Sequence, residues 1–273
     1  DRPHTGMFAG FTSQIQKRMG LYGEALKNGQ QAVEIAVLLD DKPAQELWLT
    51  NLAEIYLRVN DGKKALDIIL EAERIAAEIG DKRSIIFILA LKGTLLENME
   101  FLEAAETKAI EVKVGRDLTL VRLRKASLLA SSGMPIEAIA ELRRMNFSTI
   151  PQSNDIESAG YFYLWGICLA ATNRNKEAVE YLFLGLKTAQ SMGLLPEIAD
   201  CAVALARIKL NSGAHEEAFH HFRKALSCLK KMTENISDDS QKEKFLEKGQ
   251  LSYLAEEVSR LSGSLGKKTG ASR

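Results

Sequence analysis

What this 273-residue sequence has little of narrows it first. It holds 5 prolines and 7% aromatic residues, whereas Ala, Leu, Glu and Lys are abundant, a balance that favours helix over strand. It has no excess of charge of either sign, with 36 Lys+Arg against 36 Asp+Glu. No whole-chain basic field can therefore hold phosphate backbones or an anionic bilayer, and neither nucleic acid nor membrane is expected as a partner. No apolar run reaches the roughly 18 residues of a membrane span. The opening DRPHTGMFAGF lacks the charged head and long apolar stretch of a signal peptide, so the expected location is cytoplasmic. Since the first residue is Asp rather than Met, a piece cut from a larger protein is one reading of the chain.

Cysteine and histidine are scarce as well. Cys168, Cys201 and Cys228 are odd in number, widely spaced and set inside apolar helical patterns. Without C-x-x-C or zinc spacing they read as small buried hydrophobes in a reducing compartment. Of four histidines, one lies near the N-terminus and three share one segment, so no Ser/His/Asp or Cys/His set can be assembled. Neither catalytic residues nor a cofactor are expected.

What is present is a period, which changes the meaning of every residue inside it. Ala25, Ala65, Ala105, Ala138, Ala178 and Ala218 open similar helical stretches at steps of 40, 40, 33, 40 and 40 residues. Twelve residues before each stands another small residue: Ser13, Ala53, Gly93, Ala126, Gly166 and Ala206. Between the two lies a polar turn, as in LAEIYLRVNDGK or WGICLAATNRNK. Two antiparallel helices approach closely only where both lack bulk, so the paired small positions are a packing requirement. The repeating unit is helix, tight turn, helix.

This pattern resembles the tetratricopeptide repeat, whose small residues at the eighth and twentieth positions match those pairs. Tyr56 and Phe222 add its aromatic position in two units, and Trp165 a bulky residue before the small one in another. Gln16, Leu96 and Leu129 replace the aromatic in the first, third and fourth units, and 40-residue steps exceed the family's 34. The resemblance implies an all-α fold: a right-handed α-solenoid of about six helix pairs, with units near 6–45, 46–85, 86–118, 119–158, 159–198 and 199–236. A breaker-rich stretch from Phe147 to Asp155 reads as a long loop between units. Ser237 and Asp238 then open a capping helix over 237–262, with apolar Phe245, Leu246, Leu251, Leu254, Val258 and Leu261 covering the last repeat and a break near Gly249. Residues 263–273 read as a disordered tail. The cap is also similar to the helix closing repeat arrays in large bacterial signalling proteins, in which kinase or regulator modules precede the array.

Several motifs compete with the repeat. GAHEEAFHHFRKAL could place Glu216 with His220, or Glu217 with His221, one turn apart for zinc. The H-E-x-x-H spacing fails, however, because His215 and His220 are five apart, and Ala218, Phe222 and Ala225 occupy packing positions. No metal site is expected. SGSLGKKTG is no phosphate loop, since no glycine lies five before Gly266 and a helix precedes it. Arg122, Arg124 and Lys125, with Arg143 and Arg144, are either a patch for an acidic partner or solvated helix faces.

Carried over by unit, the family's concave-face contacts fall on Gln14, Lys17, Thr50, Glu54, Phe87, Thr94, Glu97, Leu123, Ser127, Tyr163, Ile167, Asp200 and Arg207. The paired Lys and Asn of a two-carboxylate clamp are missing. The resemblance implies a non-catalytic scaffold that binds a protein or peptide on its concave face. The alternative is a sensory or regulatory module of a larger signalling protein, which recognises a small peptide or its own upstream domain.

Overall fold

The computed structural model describes residues 2–145, 156–234, 236–248 and 251–270. Among them fourteen helices form and no strand does, which is the expected all-α class. The chain divides into two units, Asp1–Ser132 with Asn235–Phe245, and Gly133–Glu234 with Leu246–Arg273.

The first unit holds α1 (Arg2–Met19), α2 (Tyr22–Leu38), α3 (Lys42–Arg58), α4 (Gly62–Ile79), α5 (Lys82–Leu95), α6 (Met99–Val112) and α7 (Gly115–Ser131). Its apolar clusters interlock: Ala9, Ala32 and Trp48 join α1 to α3, Ala53, Ile69 and Ile88 join α3 to α5, and Ile86, Leu102 and Val121 join α5 to α7. Each helix is thus buried against its neighbours in sequence, the quasi-one-dimensional packing of a repeat array. The second unit holds α8 (Pro135–Arg143), α9 (Ile156–Ala171), α10 (Asn175–Met192), α11 (Leu195–Asn211), α12 (His215–Thr233) and α14 (Leu251–Gly270). Here α9 pairs with α10, α11 with α12, and α14 lies on α12. The remaining helix, α13 (Asp239–Lys248), spans the division at Phe245.

The turns explain the period. A left-handed residue recurs at Gly20, Asp40, Asn60, Gly80, Glu97, Lys113, Gly133, Asn173, Gly193 and Gly213, and around most of them an N–H reaches back five residues, as in Asp61 N to Tyr56 O at 2.8 Å and Arg174 N to Leu169 O at 2.9 Å. This is the Schellman ending of a helix, which satisfies its last carbonyls and reverses the chain. Asp41, Asp61, Asp81 and Asn98 then cap the next helices by accepting from backbone N–H groups.

Counting from the turn inside each helix pair, a small residue sits seven before and five after the left-handed position, as in Ala53 and Ala65 or Gly166 and Ala178, and all four are buried. The third unit departs from the expectation. Its turn is at Glu97, so the registered pair is Ala90 and Leu102, three residues earlier than Gly93 and Ala105. The unit steps become 40, 37, 36, 40 and 40, because α5 and α6 have each lost nearly a turn and run only 14 residues. Leu102 is bulky where other units are small. Gly93 offsets it, since a Cβ there would stand 2.6 Å from the Leu102 Cγ.

The C-terminal region also departs from the single cap. Phe245 belongs with the first unit, where its ring packs 5.5 Å from that of Tyr22 and Lys244 pairs with Asp61 at 3.4 Å. Leu254 and Leu261 are buried in the second unit, and Tyr253 meets Phe222 edge-on at 6.2 Å. The stripe read as one surface serves two, because each part finds a different aromatic partner. Moreover, α14 continues through residues 263–270, assigned above to a tail; that stretch lacks proline, and a helix already nucleated adds residues cheaply. The loop expected at 147–155 and the break expected at Gly249 lie outside the described residues.

Candidate binding surface

Of the positions expected on the inner face, Gln14 and Lys17 lie on α1, Thr50 and Glu54 on α3, Phe87 and Thr94 on α5, and Leu123 and Ser127 on α7. Glu97 does not lie on a first helix: it is the exposed left-handed turn residue after α5, displaced by the three-residue register shift. The same shift brings in Ser84, which the repeat alignment missed.

Several of these side chains spend their polarity on each other. Glu54 is paired with Lys17, and its other oxygen accepts from Arg124 at 2.7 Å, while Arg124 also reaches Thr94 at 3.4 Å. Burial pushes the Glu54 carboxyl up, but Lys17, Arg124 and Arg58 together hold it well below its ordinary value. Burial lowers Lys17, and Glu54 opposes that shift. Close by, Thr50 and Ser84 donate to the two oxygens of Glu46 at 2.7 and 2.6 Å, and burial raises that carboxyl. Four first helices are therefore tied by polar bonds between residues up to 70 apart. The basic run read as a possible patch is partly engaged within the fold: Arg122 at 2.9 Å and Lys125 at 2.6 Å share the one carboxylate of Glu106, Arg124 pairs with Glu54, and Arg144 pairs with Glu141 at 2.8 Å.

A pH dependence follows. Because the folded Glu54 is depressed below 4.5, its ion pairs stabilise the protein above that pH and are lost as pH falls toward the folded value. Glu54→Gln leaves Lys17 and Arg124 partly buried without their partner and is expected to cost about 3 to 5 kcal/mol at neutral pH. Urea denaturation from pH 7 to pH 3 checks both: the wild type loses more stability below about pH 4.5 than Glu54→Gln does. Equal acid slopes would contradict the pairing.

In the second unit, Tyr163, Ile167, Asp200 and Arg207 line one cavity of about 400 Å³. Tyr163, Ile167 and Ala170 come from α9, Asp200, Val203 and Arg207 from α11, and Leu229 and Leu254 from α12 and α14. Asp200 and Arg207 are exposed, seven residues apart on one helical face, roughly 10 Å along the axis. Burial pushes the Tyr163 phenol far above its ordinary value, and Asp200 adds to that push while Arg207 opposes it. The hydroxyl thus stays protonated beside both charges. The lining mixes apolar Ile167, Val203, Leu229 and Leu254 with polar Asn175, Asp200, Arg207 and Asn211, and a concavity of this volume with convergent polar groups is of the size that ligands occupy.

No protein-family model matches the sequence, and no curated protein matches it. Among solved structures it is similar to a Rap protein complexed with competence and sporulation factor, at a TM-score of 0.66 and 14% identity over 96% of this chain and 76% of that one. The chain has a TPR-like helical-repeat fold.

Within that fold the histidine segment belongs to the packed helix α12. Ala218, Phe222 and Ala225 are fully buried, and Glu217 pairs with Lys209 at 2.7 Å. Burial, with His220 beside it, lowers His221, whose ring packs 5.9 Å from Phe183. Among the described residues no three His, Cys, Asp or Glu side chains are gathered as a metal would need, and no helix is long and apolar enough to cross a membrane. The three cysteines are buried free thiols; burial lifts Cys168 to about 11, which keeps it unreactive at neutral pH.

Proposed function

We propose that this chain is a non-catalytic protein-interaction repeat that takes a peptide segment of a partner, anchored in the second-unit cavity. One observation carries the reading: four residues chosen only by repeat position, Tyr163, Ile167, Asp200 and Arg207, line the same cavity. Solenoid first helices place such positions in register, so a ligand that follows the array meets them in succession. The neighbouring Rap structure, itself a complex, is consistent with a fold used for binding. For the first unit by itself, Gln14, Phe87, Leu123 and Ser127 are assigned as partner contacts. Lys17, Thr50, Glu54 and Thr94 are not, because their polar atoms are engaged within the fold. We assign the protein to the cytoplasm, where its buried thiols stay reduced.

The test is selection of peptides from a displayed random library against the full chain, followed by titration. Selected peptides are expected to lose at least about tenfold in affinity on Ile167→Asp, which puts a charge on the apolar wall, and on Arg207→Glu, which reverses a contact charge. A library yielding no peptide sensitive to these substitutions overturns the reading.

A further inference from the structure

The repeat pattern assigns ligand contacts to first helices only, yet the cavity has a wall that the pattern does not supply. Leu254 of the terminal helix α14 lines it and is itself 1% exposed. The adjacent Tyr253 makes two contacts. Its ring meets Phe222 of α12 at 6.2 Å and 88°, and the Arg207 guanidinium stands over it at 5.8 Å. Arg207 is one of the two charged residues of the cavity lining, and a long side chain of this kind gains direction from an aromatic face beneath it.

The geometry points to α14 as part of the binding site: Tyr253 positions Arg207, Leu254 completes the wall, and ligand occupancy and α14 docking therefore stabilise each other. This rests on the cavity being the binding site. The linkage follows from mass action, since a ligand touching both α11 and α14 binds the docked state better than the undocked one, and the factor is reciprocal. In the second unit, α14 packs chiefly on α12. An element held mainly from one side opens at lower free energy than the core, so its docking is the equilibrium that a ligand can shift.

The experiment uses the full chain and 8-anilinonaphthalene-1-sulfonate, whose rings suit the apolar wall and whose sulfonate suits Arg207. Fluorescence titration gives its affinity, and hydrogen exchange follows the α14 amides. At ten times its dissociation constant the probe is expected to slow α14 exchange about tenfold. Tyr253→Leu keeps an apolar contact for Phe222 but removes the ring under Arg207, and is expected to weaken the probe about threefold with an unchanged melting temperature; Tyr253→Phe keeps wild-type affinity. Ala204→Leu, which narrows the cavity, identifies where the probe binds. If the probe is sensitive to Ala204→Leu while α14 exchange and Tyr253→Leu show no effect, the inference is overturned and the cavity remains the binding site. If the probe ignores Ala204→Leu, the cavity reading falls. The inference, which rests on that reading, then falls with it.

Discussion

A chain ending at Met232 is expected to associate at concentrations where the full chain is monomeric, and to melt at a lower temperature. The truncation uncovers two surfaces. In the second unit, Phe222, fully buried, loses the Tyr253 ring, and the sites filled by Leu254 and Leu261 open. In the first unit, Tyr22, 2% exposed, loses Phe245, and Asp61 loses Lys244. Each of the four buried apolar side chains lost, Ile236, Phe245, Leu254 and Leu261, is worth about 1.5 to 3 kcal/mol of burial, a large part of a domain's net stability. The apolar groups left behind invite self-association. Light scattering and thermal melting check this. A chain ending at Lys248 separates the two surfaces: it keeps Phe245 on Tyr22, so hydrogen exchange should rise in α12 and not in α2. A Met232 chain that stays monomeric with an unchanged melt would show that the C-terminal helices cover nothing the array needs.

Ala178→Arg is expected to be the most damaging single substitution among the small positions. Ala178 is fully buried, and the approach of α9 to α10 there is close: a Cβ on Gly166 would stand 3.3 Å from the Ala178 carbonyl oxygen and 2.4 Å from the Leu182 Cγ. Overpacking alone costs about 1 to 3 kcal/mol, and a guanidinium without a partner adds roughly 1 to 3 kcal/mol or more. Because repeats stabilise their neighbours, hydrogen exchange should rise first in α9 and α10 and much less in the first unit. The control is Glu180→Arg on the exposed side of the same helix, expected within about 0.5 kcal/mol of wild type. Exchange that rose uniformly, or not at all, would contradict the packing.

Ala25, Ala65, Ala138, Ala178 and Ala218, with Ser13, Ala53, Ala126, Gly166 and Ala206, were legible because a helical hairpin brings residues twelve apart into contact, and a contact that close leaves its mark as missing bulk. The third unit shows where that method fails. Gly93 and Ala105 are also small and twelve apart, and both are buried, yet the register is set by the turn at Glu97. A left-handed glutamate carries no signal in sequence, whereas glycine at the equivalent Gly20, Gly133 or Gly213 does.

The sequence by itself determined the all-helical class, the pairing of helices and most of the small positions, because each of these depends on residues within one or two helices of one another. Only the tertiary structure decided which charges of the expected contact set are spent, since Glu54 meets Arg124 across 70 residues. It alone divided the terminal stripe between Tyr22 and Phe222, and it alone built the cavity. That cavity draws its wall from α9, α11, α12 and α14, and no local periodicity records contacts between side chains that meet only after those helices have packed.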